Sequence, residues 1–141
     1  MSNTKPEISS PDSYQKLFKS LNYNQVLKHG NRIDISGQGG WTRNLDNGFE
    51  FTYKNLQEEI EEAFTNVEVV LNSVGSSWKD VYSVTSYHTH LDTTREVVLS
   101  IMIKLLKKHI GERAPLWTCL GVEALAEPKM NVEIVVTAYT D

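Results

Sequence analysis

The chain has little of what marks a secreted or membrane-spanning protein. It contains one cysteine, Cys119, so an internal disulfide is impossible and a reducing compartment is expected. No apolar run approaches the roughly 18 residues that a membrane-spanning helix needs. Residues 1–13 contain no apolar core like that of a signal peptide, and they predict a flexible tail. We therefore expect a cytoplasmic protein.

Basic residues are also in short supply. The 141 residues include 14 Lys and Arg against 18 Asp and Glu, for a formal net charge of −4, and no basic run is present. Nucleic acids and anionic membranes are held largely by clustered Lys and Arg. The sequence therefore disfavours both as partners. The length and the 40% hydrophobic content suit one domain with an ordinary core.

Hydrophobic periodicity predicts two long amphipathic helices. Apolar residues recur at helical spacing from Leu56 to Val74, between a capping-box pattern at Asn55–Glu58 and Gly75 as the C-cap. A second apolar stripe covers Val97–Ile110, with Thr93–Glu96 as its cap. Both stripes indicate core-facing helices.

The remaining pattern predicts strands and one doubtful N-terminal element. Residues 11–21 form either a short amphipathic helix or a loosely docked arm, so the predicted organisation is a tail or short helix over 1–21 and one domain over 22–141. Gly30-Asn31 suits a two-residue hairpin turn between the first two strands. The predicted strands are Tyr23–Lys28, Arg32–Gly37, Val81–His90, Leu116–Val122 and Val132–Tyr139.

The resulting order is β-β-α-β-α-β-β, an α+β arrangement with a mixed sheet and two helices on one face. Two helices leave the other sheet face uncovered. On the last strand, Val135 lies on the face opposite to Val132 and Ile134, so both faces carry apolar side chains. An uncovered apolar sheet face predicts self-association.

Short motifs spread over most of the chain resemble those of the RidA/YjgF family of enamine and imine deaminases. The likeness runs from about Tyr23 to Ala138. It implies a chorismate-mutase-like fold, a homotrimer with clefts between subunits, and a small-molecule substrate. The motifs are Tyr23-Asn24-Gln25, Ile35-Ser36-Gly37-Gln38, Gly75–Val81, Pro115–Cys119, Val122–Leu125 and Val132-Glu133-Ile134.

Glu133 is the candidate catalytic residue. In the family that this sequence resembles, the matching glutamate positions and activates the water that attacks an imine carbon, a task suited to a carboxylate. Without the resemblance, a surface glutamate at the edge of a strand is the favoured interpretation of Glu133. A carboxylate in an otherwise apolar strand needs solvent or a partner, or its pKa rises.

Four further residues are candidates for substrate binding. Tyr23 offers a ring and a hydroxyl, and Ser36 an oxygen that holds water or substrate; both are otherwise ordinary strand residues. Cys119 reads as a nucleophile or, as the resemblance implies, as a pocket wall whose backbone N–H binds substrate. Strand alternation places it on the same face as Trp117. Leu99 stands where the family has a pocket asparagine.

Trp117 is the main departure from the family pattern. The family has Pro-Ala-Arg where this chain has Pro115-Leu116-Trp117, so the substrate-binding arginine is replaced. Arginine grips a carboxylate through two parallel hydrogen bonds, whereas tryptophan has one N–H donor and a large apolar ring. Arg43 and Arg113 are the alternative sources of a guanidinium.

The sequence therefore predicts a RidA-like hydrolase of an imine, enamine or related C–N bond, with an uncharged or aromatic substrate. The alternative is a non-catalytic trimeric protein that binds a small molecule or has a regulatory role. A ribonuclease, also attributed to the family, is disfavoured by the acidic balance.

No cofactor or metal is predicted. Gly37–Gly40 lacks the spacing and the lysine of a phosphate-binding loop, so it predicts a close backbone turn instead. His88 and His90 share a face if both lie on a strand, but a third metal ligand is not evident.

Overall fold

The fold is a mixed six-stranded sheet with helices packed on one face, in a computed structural model that describes residues 5–141. Short 3-10 turns cover Asp12–Tyr14 and Trp78–Asp80. The strands are β1 (Glu7–Ser9), β2 (Val26–His29), β3 (Arg32–Ile35), β4 (Val81–Thr89), β5 (Leu116–Val122) and β6 (Val132–Tyr139), and the helices are α1 (Gln15–Leu21), α2 (Leu56–Asn72) and α3 (Leu91–Ile110).

The strands lie in the order β1-β2-β3-β6-β4-β5. Strand β6 is antiparallel to both β3 and β4, while β4 and β5 are parallel because the helix α3 returns the chain to the same end of the sheet. The core lies between the sheet and the two long helices. Residues from β4, β6 and α2, among them Val84, Val132, Ile134 and Phe64, are at most 1% exposed there. The predicted mixed sheet with two helices on one face is confirmed.

The N-terminal segment is more ordered than the sequence predicted. Glu7–Ser9, assigned to a flexible tail, pairs with β2 as an edge strand; residues 1–4 of that tail lie outside the described residues. The predicted helix begins at Gln15, after a 3-10 turn that ends at Tyr14. The Tyr14 hydroxyl donates to the buried amide of Gln38 and accepts from Trp41 Nε1, which fixes the segment to the core.

Two helix ends differ from the prediction by a few residues. Helix α2 ends at Asn72 with Ser73 as its C-cap, and Gly75 supplies the left-handed turn beyond it at φ 79°. Helix α3 begins at Leu91, ahead of the predicted cap at residues 93–96, because the carbonyl of His90 accepts the backbone N–H groups of Thr93 and Thr94. No helix within residues 5–141 is long and apolar enough to span a membrane.

Candidate functional site

Glu133 lies at the start of β6 and faces away from the helices. Its neighbours Val132 and Ile134 are fully buried on the helix-covered face, so strand alternation turns Glu133 to the open face, beside Tyr87 of β4. The carboxylate is half-buried and has no hydrogen-bond or ion-pair partner among residues 5–141. Burial raises the pKa of the Glu133 carboxyl. Such a group is available to a water or a ligand.

The glycine-rich stretch after β3 makes room for this carboxylate. A Cβ added at Gly37 would lie 2.6 Å from Cδ of Glu133, so no other residue type leaves the side chain in place. A Cβ at Gly40 would lie 2.6 Å from the backbone carbonyl oxygen of Glu59 on α2. Lack of room for a Cβ therefore accounts for two of the glycines, and the predicted close approach of the backbone is present at both.

Ser36 and Tyr23 lie at the same end of the sheet as Glu133. Ser36 follows β3 on the open face, since Ile35 beside it is buried under the helices. Its hydroxyl donates to the carbonyl oxygen of Asn24 at 2.8 Å, so it offers only acceptor capacity to a ligand. Tyr23 precedes β2 with its side chain 38% exposed. A shallow cavity of about 270 Å³ adjoins Ser36, between β2 and β3.

Trp117 and Cys119 lie on the other face of the sheet. In the parallel register of β4 and β5, Trp117 pairs with Val84 and Cys119 pairs with Ser86, and both β4 residues are buried on the helix-covered side. The predicted common face of Trp117 and Cys119 is thus present. Within one chain, however, the sheet separates them from Glu133, which lies on the opposite face.

A buried hydrogen-bond chain holds Trp117 in place, and it was not predicted. Trp117 Nε1 donates to Ser86 Oγ at 3.0 Å, and Ser86 Oγ lies 2.9 Å from His88 Nε2. Ser86 and His88 are fully inaccessible to solvent, and His88 Nδ1 has no partner within the described chain. Burial lowers the pKa of His88 to about 4. The sequence did carry one indication of this chain of bonds: Ser86 and His88 are polar residues on the otherwise apolar face of a predicted strand.

A cavity of about 420 Å³ opens beside Trp117, between β5 and the C-terminal half of α3. Its walls include the apolar residues Ile103, Leu106 and Pro115, with Lys107 and Glu112 as charged neighbours. Pockets of this size commonly accept small ligands. Leu99, at the position of the family's asparagine, is half-buried and lies one helical turn before Ile103 in α3.

Neither alternative arginine reaches these groups. Arg113 donates to the carbonyl oxygens of Lys79 and Val81, and its guanidinium lies 4.0 Å from the ring centre of Tyr82. Arg43 pairs with Glu62 on α2 and donates to the side chain of Asn66. Both guanidinium groups are therefore engaged away from Glu133 and Trp117.

The two histidines of the predicted strand Val81–His90 do not lie on one face. His88 is buried on the strand, whereas His90 lies beyond its end in a left-handed conformation, φ 56°, and is exposed. Their predicted common face is therefore wrong, because the chain turns into α3 between them. No group of three metal-ligating side chains occurs within residues 5–141.

The sequence model of the family described as Endoribonuclease L-PSP matches residues 15–140. The chain belongs to the YjgF/RidA family. The RutC family protein YjgH of Escherichia coli K12 is 23% identical over 125 residues, 89% of each chain. A solved structure of YjgH is 24% identical with a TM-score of 0.78, covering 96% of this chain and 97% of that one.

Two further solved structures share the fold. A Mycobacterium tuberculosis protein of the YjgF/YER057c/UK114 family is 20% identical, with a TM-score of 0.73 over 96% of this chain and all of that one. Escherichia coli TdcF, solved with bound serine, is 21% identical, with a TM-score of 0.70 over 84% and 88% of the two chains. The predicted family and its chorismate-mutase-like α+β fold are confirmed.

Proposed function

We propose that this protein is a RidA-like hydrolase that converts an imine, or the imine tautomer of an enamine, to a carbonyl compound and an amine. Family membership over residues 15–140 supports the reaction class. The observation that carries the proposal is the Glu133 carboxylate, half-buried on the open face and free of partners among the described residues. We place its action in the cytoplasm, where its single cysteine stays reduced.

Glu133 performs proton transfer in this mechanism. Its carboxylate accepts a proton from the attacking water, the oxygen bonds to the imine carbon, and the C=N double bond becomes a single bond. The protonated Glu133 then returns this proton to nitrogen, which gives a carbinolamine. In a second proton transfer, the Glu133 carboxylate accepts the proton of the new hydroxyl group as the carbonyl forms and delivers it to nitrogen, so that the C–N bond breaks and the amine leaves. Burial raises the pKa of Glu133, and a raised pKa helps a carboxyl group that must both accept and donate a proton.

The active site is proposed to lie between copies of the chain. Glu133 and Ser36 lie on the open face, and Trp117 and Cys119 lie on the face covered by α3. A small substrate contacts both groups only where the edge strand of one copy adjoins the open face of another. This arrangement supports the predicted homotrimer with clefts between subunits.

The open face has the apolar side chains that such an assembly needs. Leu116 and Leu120 of β5 are 76% and 41% exposed, and Ile8 of β1 is 60% exposed. Large exposed apolar groups on one sheet face mark an interaction surface. Leu120→Glu is expected to convert a trimer to monomers in sedimentation experiments, whereas Val97→Glu on the helix α3 leaves the mass unchanged. A monomeric parent protein at micromolar concentration contradicts the assembly.

The substrate is proposed to be uncharged or aromatic, because Trp117 replaces the arginine of the family. Hydrogen bonds to charged groups contribute about 1.5–3 kcal/mol, or roughly ten- to 150-fold in binding. A screen of imines with and without a carboxylate tests this. Slow hydrolysis of the carboxylate-bearing set and faster hydrolysis of neutral imines is expected, and Trp117→Arg is expected to narrow the difference. The serine seen in TdcF marks an amino acid as that relative's ligand.

Glu133→Gln provides the decisive test of catalysis. The amide keeps the shape but cannot accept the proton, so kcat/KM is expected to fall about 10²–10⁴-fold with the fold and assembly intact. Full activity in the variant removes Glu133 from the mechanism. A parent protein that binds neutral imines without turnover identifies the alternative, a non-catalytic binding protein. RNA hydrolysis, which the family description names, is not proposed for a chain with 18 acidic and 14 basic residues.

A further inference from the structure

We propose that Ser86 and His88 are positioning residues that set the specificity of the cavity beside Trp117. They hold the Trp117 indole through its N–H, so that a ligand can contact only the apolar surface of the indole. The ligand group that enters the cavity is therefore an uncharged ring. This inference rests on the proposed function only in assigning Trp117 to the substrate site.

The direction of the hydrogen bonds follows from the donors available. Indole N–H only donates, so Ser86 Oγ accepts from Trp117 at 3.0 Å. The Ser86 hydroxyl proton has one acceptor among the described residues, His88 Nε2 at 2.9 Å. The neutral His88 ring therefore has its proton on Nδ1. Each group in the chain from Trp117 to His88 depends on the next for its orientation.

Burial makes this chain of bonds rigid. Ser86 and His88 are fully inaccessible, so water cannot replace either partner when a bond breaks. A buried donor or acceptor left without a partner costs about 1–3 kcal/mol, which opposes rotation of the indole. The register of β4 and β5 adds a second restraint, because Trp117 is paired with Val84 and packs beside the strand that bears Ser86.

A ligand in the cavity therefore cannot hydrogen-bond to Trp117, because the indole N–H, the only polar group of this side chain, already donates to Ser86. The other walls of the cavity, which has about 420 Å³, include the apolar side chains of Ile103, Leu106 and Pro115. Lys107 and Glu112 contribute one charge of each sign, so the lining favours neither an anion nor a cation. A neutral ring stacked on the indole matches these walls in size and polarity.

NMR of the three tryptophan indole N–H signals tests the proposal in the intact chain, without any turnover. Trp117→Phe assigns the signal of Trp117. In the parent protein this proton is expected to exchange slowly with solvent, and toluene and benzamide are expected to shift it with similar affinities, while acetate does not. Failure of the hydrolase proposal leaves these measurements unaffected, since they report binding alone.

Ser86→Ala is expected to release the indole N–H. Its exchange then speeds up, and benzamide, whose carbonyl accepts a hydrogen bond, gains roughly two- to twelvefold in affinity relative to toluene. Ser86→Thr keeps the hydroxyl and is expected to restore the parent behaviour. Ser83→Ala, on the same strand but without a bond to Trp117, is the matched control and leaves both properties unchanged.

Three results overturn the proposal. The first is fast exchange of the Trp117 indole proton in the parent protein, a measurement that stands even if Ser86→Ala fails to fold. The second is an unchanged ratio of benzamide to toluene affinity in a folded Ser86→Ala variant. The third is a Trp117 signal that responds to neither ring compound, or that responds more strongly to acetate.

Discussion

Replacing His88 with glutamine is expected to remove a large part of the acid sensitivity of the fold. His88 is fully buried, and burial lowers its pKa from an ordinary 6.5 to about 4. The unfolded chain therefore binds a proton between these pH values while the folded chain does not. Stability from this group is complete above pH 6.5 and is lost as the pH falls from 6.5 towards 4.

The magnitude follows from the same two pKa values. Each pH unit over which only the unfolded state is protonated costs about 1.36 kcal/mol. Over the interval from 6.5 to about 4, and with half of the folded molecules protonated at its lower end, the loss at pH 4 is about 3 kcal/mol. Against a typical total stability of about 5–15 kcal/mol, a loss of that size is readily measured.

Urea unfolding at pH 4, 5, 6 and 7, at one protein concentration, provides the assay. Glutamine does not titrate and still accepts a hydrogen bond from Ser86, so His88→Gln is expected to flatten the pH dependence by about 3 kcal/mol relative to the parent. His90→Gln, at the exposed histidine two residues later, is the matched control and leaves the dependence unchanged.

Other buried groups also make the free energy of unfolding depend on pH. They are the same in the parent protein and in His88→Gln, so their contributions cancel when the two pH dependences are subtracted. Burial also lowers the pKa of His109, which adds acid sensitivity of the same sign. Burial raises the pKa values of the Glu59 and Glu133 carboxyls, so their contributions decrease as pH rises and have the opposite sign. Equal losses of stability between pH 6.5 and 4 in the parent and in His88→Gln would refute the reasoning.

Two further substitutions probe the packing around the site. Gly37→Ala is expected to displace the Glu133 side chain towards solvent, because the new Cβ would lie 2.6 Å from its Cδ; NMR titration should then show a lower pKa for Glu133, and an unchanged value contradicts the contact. Tyr14→Phe leaves the buried Gln38 oxygen and Trp41 N–H without this partner, so denaturant unfolding should show a loss of about 2–4 kcal/mol. A change below about 0.5 kcal/mol would show that the network contributes little.

The sequence by itself determined most of the secondary structure and the family. The strands Leu116–Val122 and Val132–Tyr139 were predicted with the bounds that the structure has, because period-two alternation is a local property of the chain. The helix over residues 56–72 was equally clear from its apolar stripe and its cap at Asn55. Motifs spread over the chain sufficed for the family, since each is a short run of residues that needs no knowledge of contacts.

Only the tertiary structure decided which of these residues share a site. Strand alternation places Trp117 and Cys119 on one face, but the register between β4 and β5 is what turns that face towards α3 and away from Glu133. The bond from Trp117 to Ser86 joins residues 31 positions apart, and that between the Tyr14 hydroxyl and Gln38 joins residues 24 apart. Periodicity cannot reveal such pairs, because hydrogen bonds between side chains that are distant along the chain depend on strand register and tertiary packing rather than on local spacing.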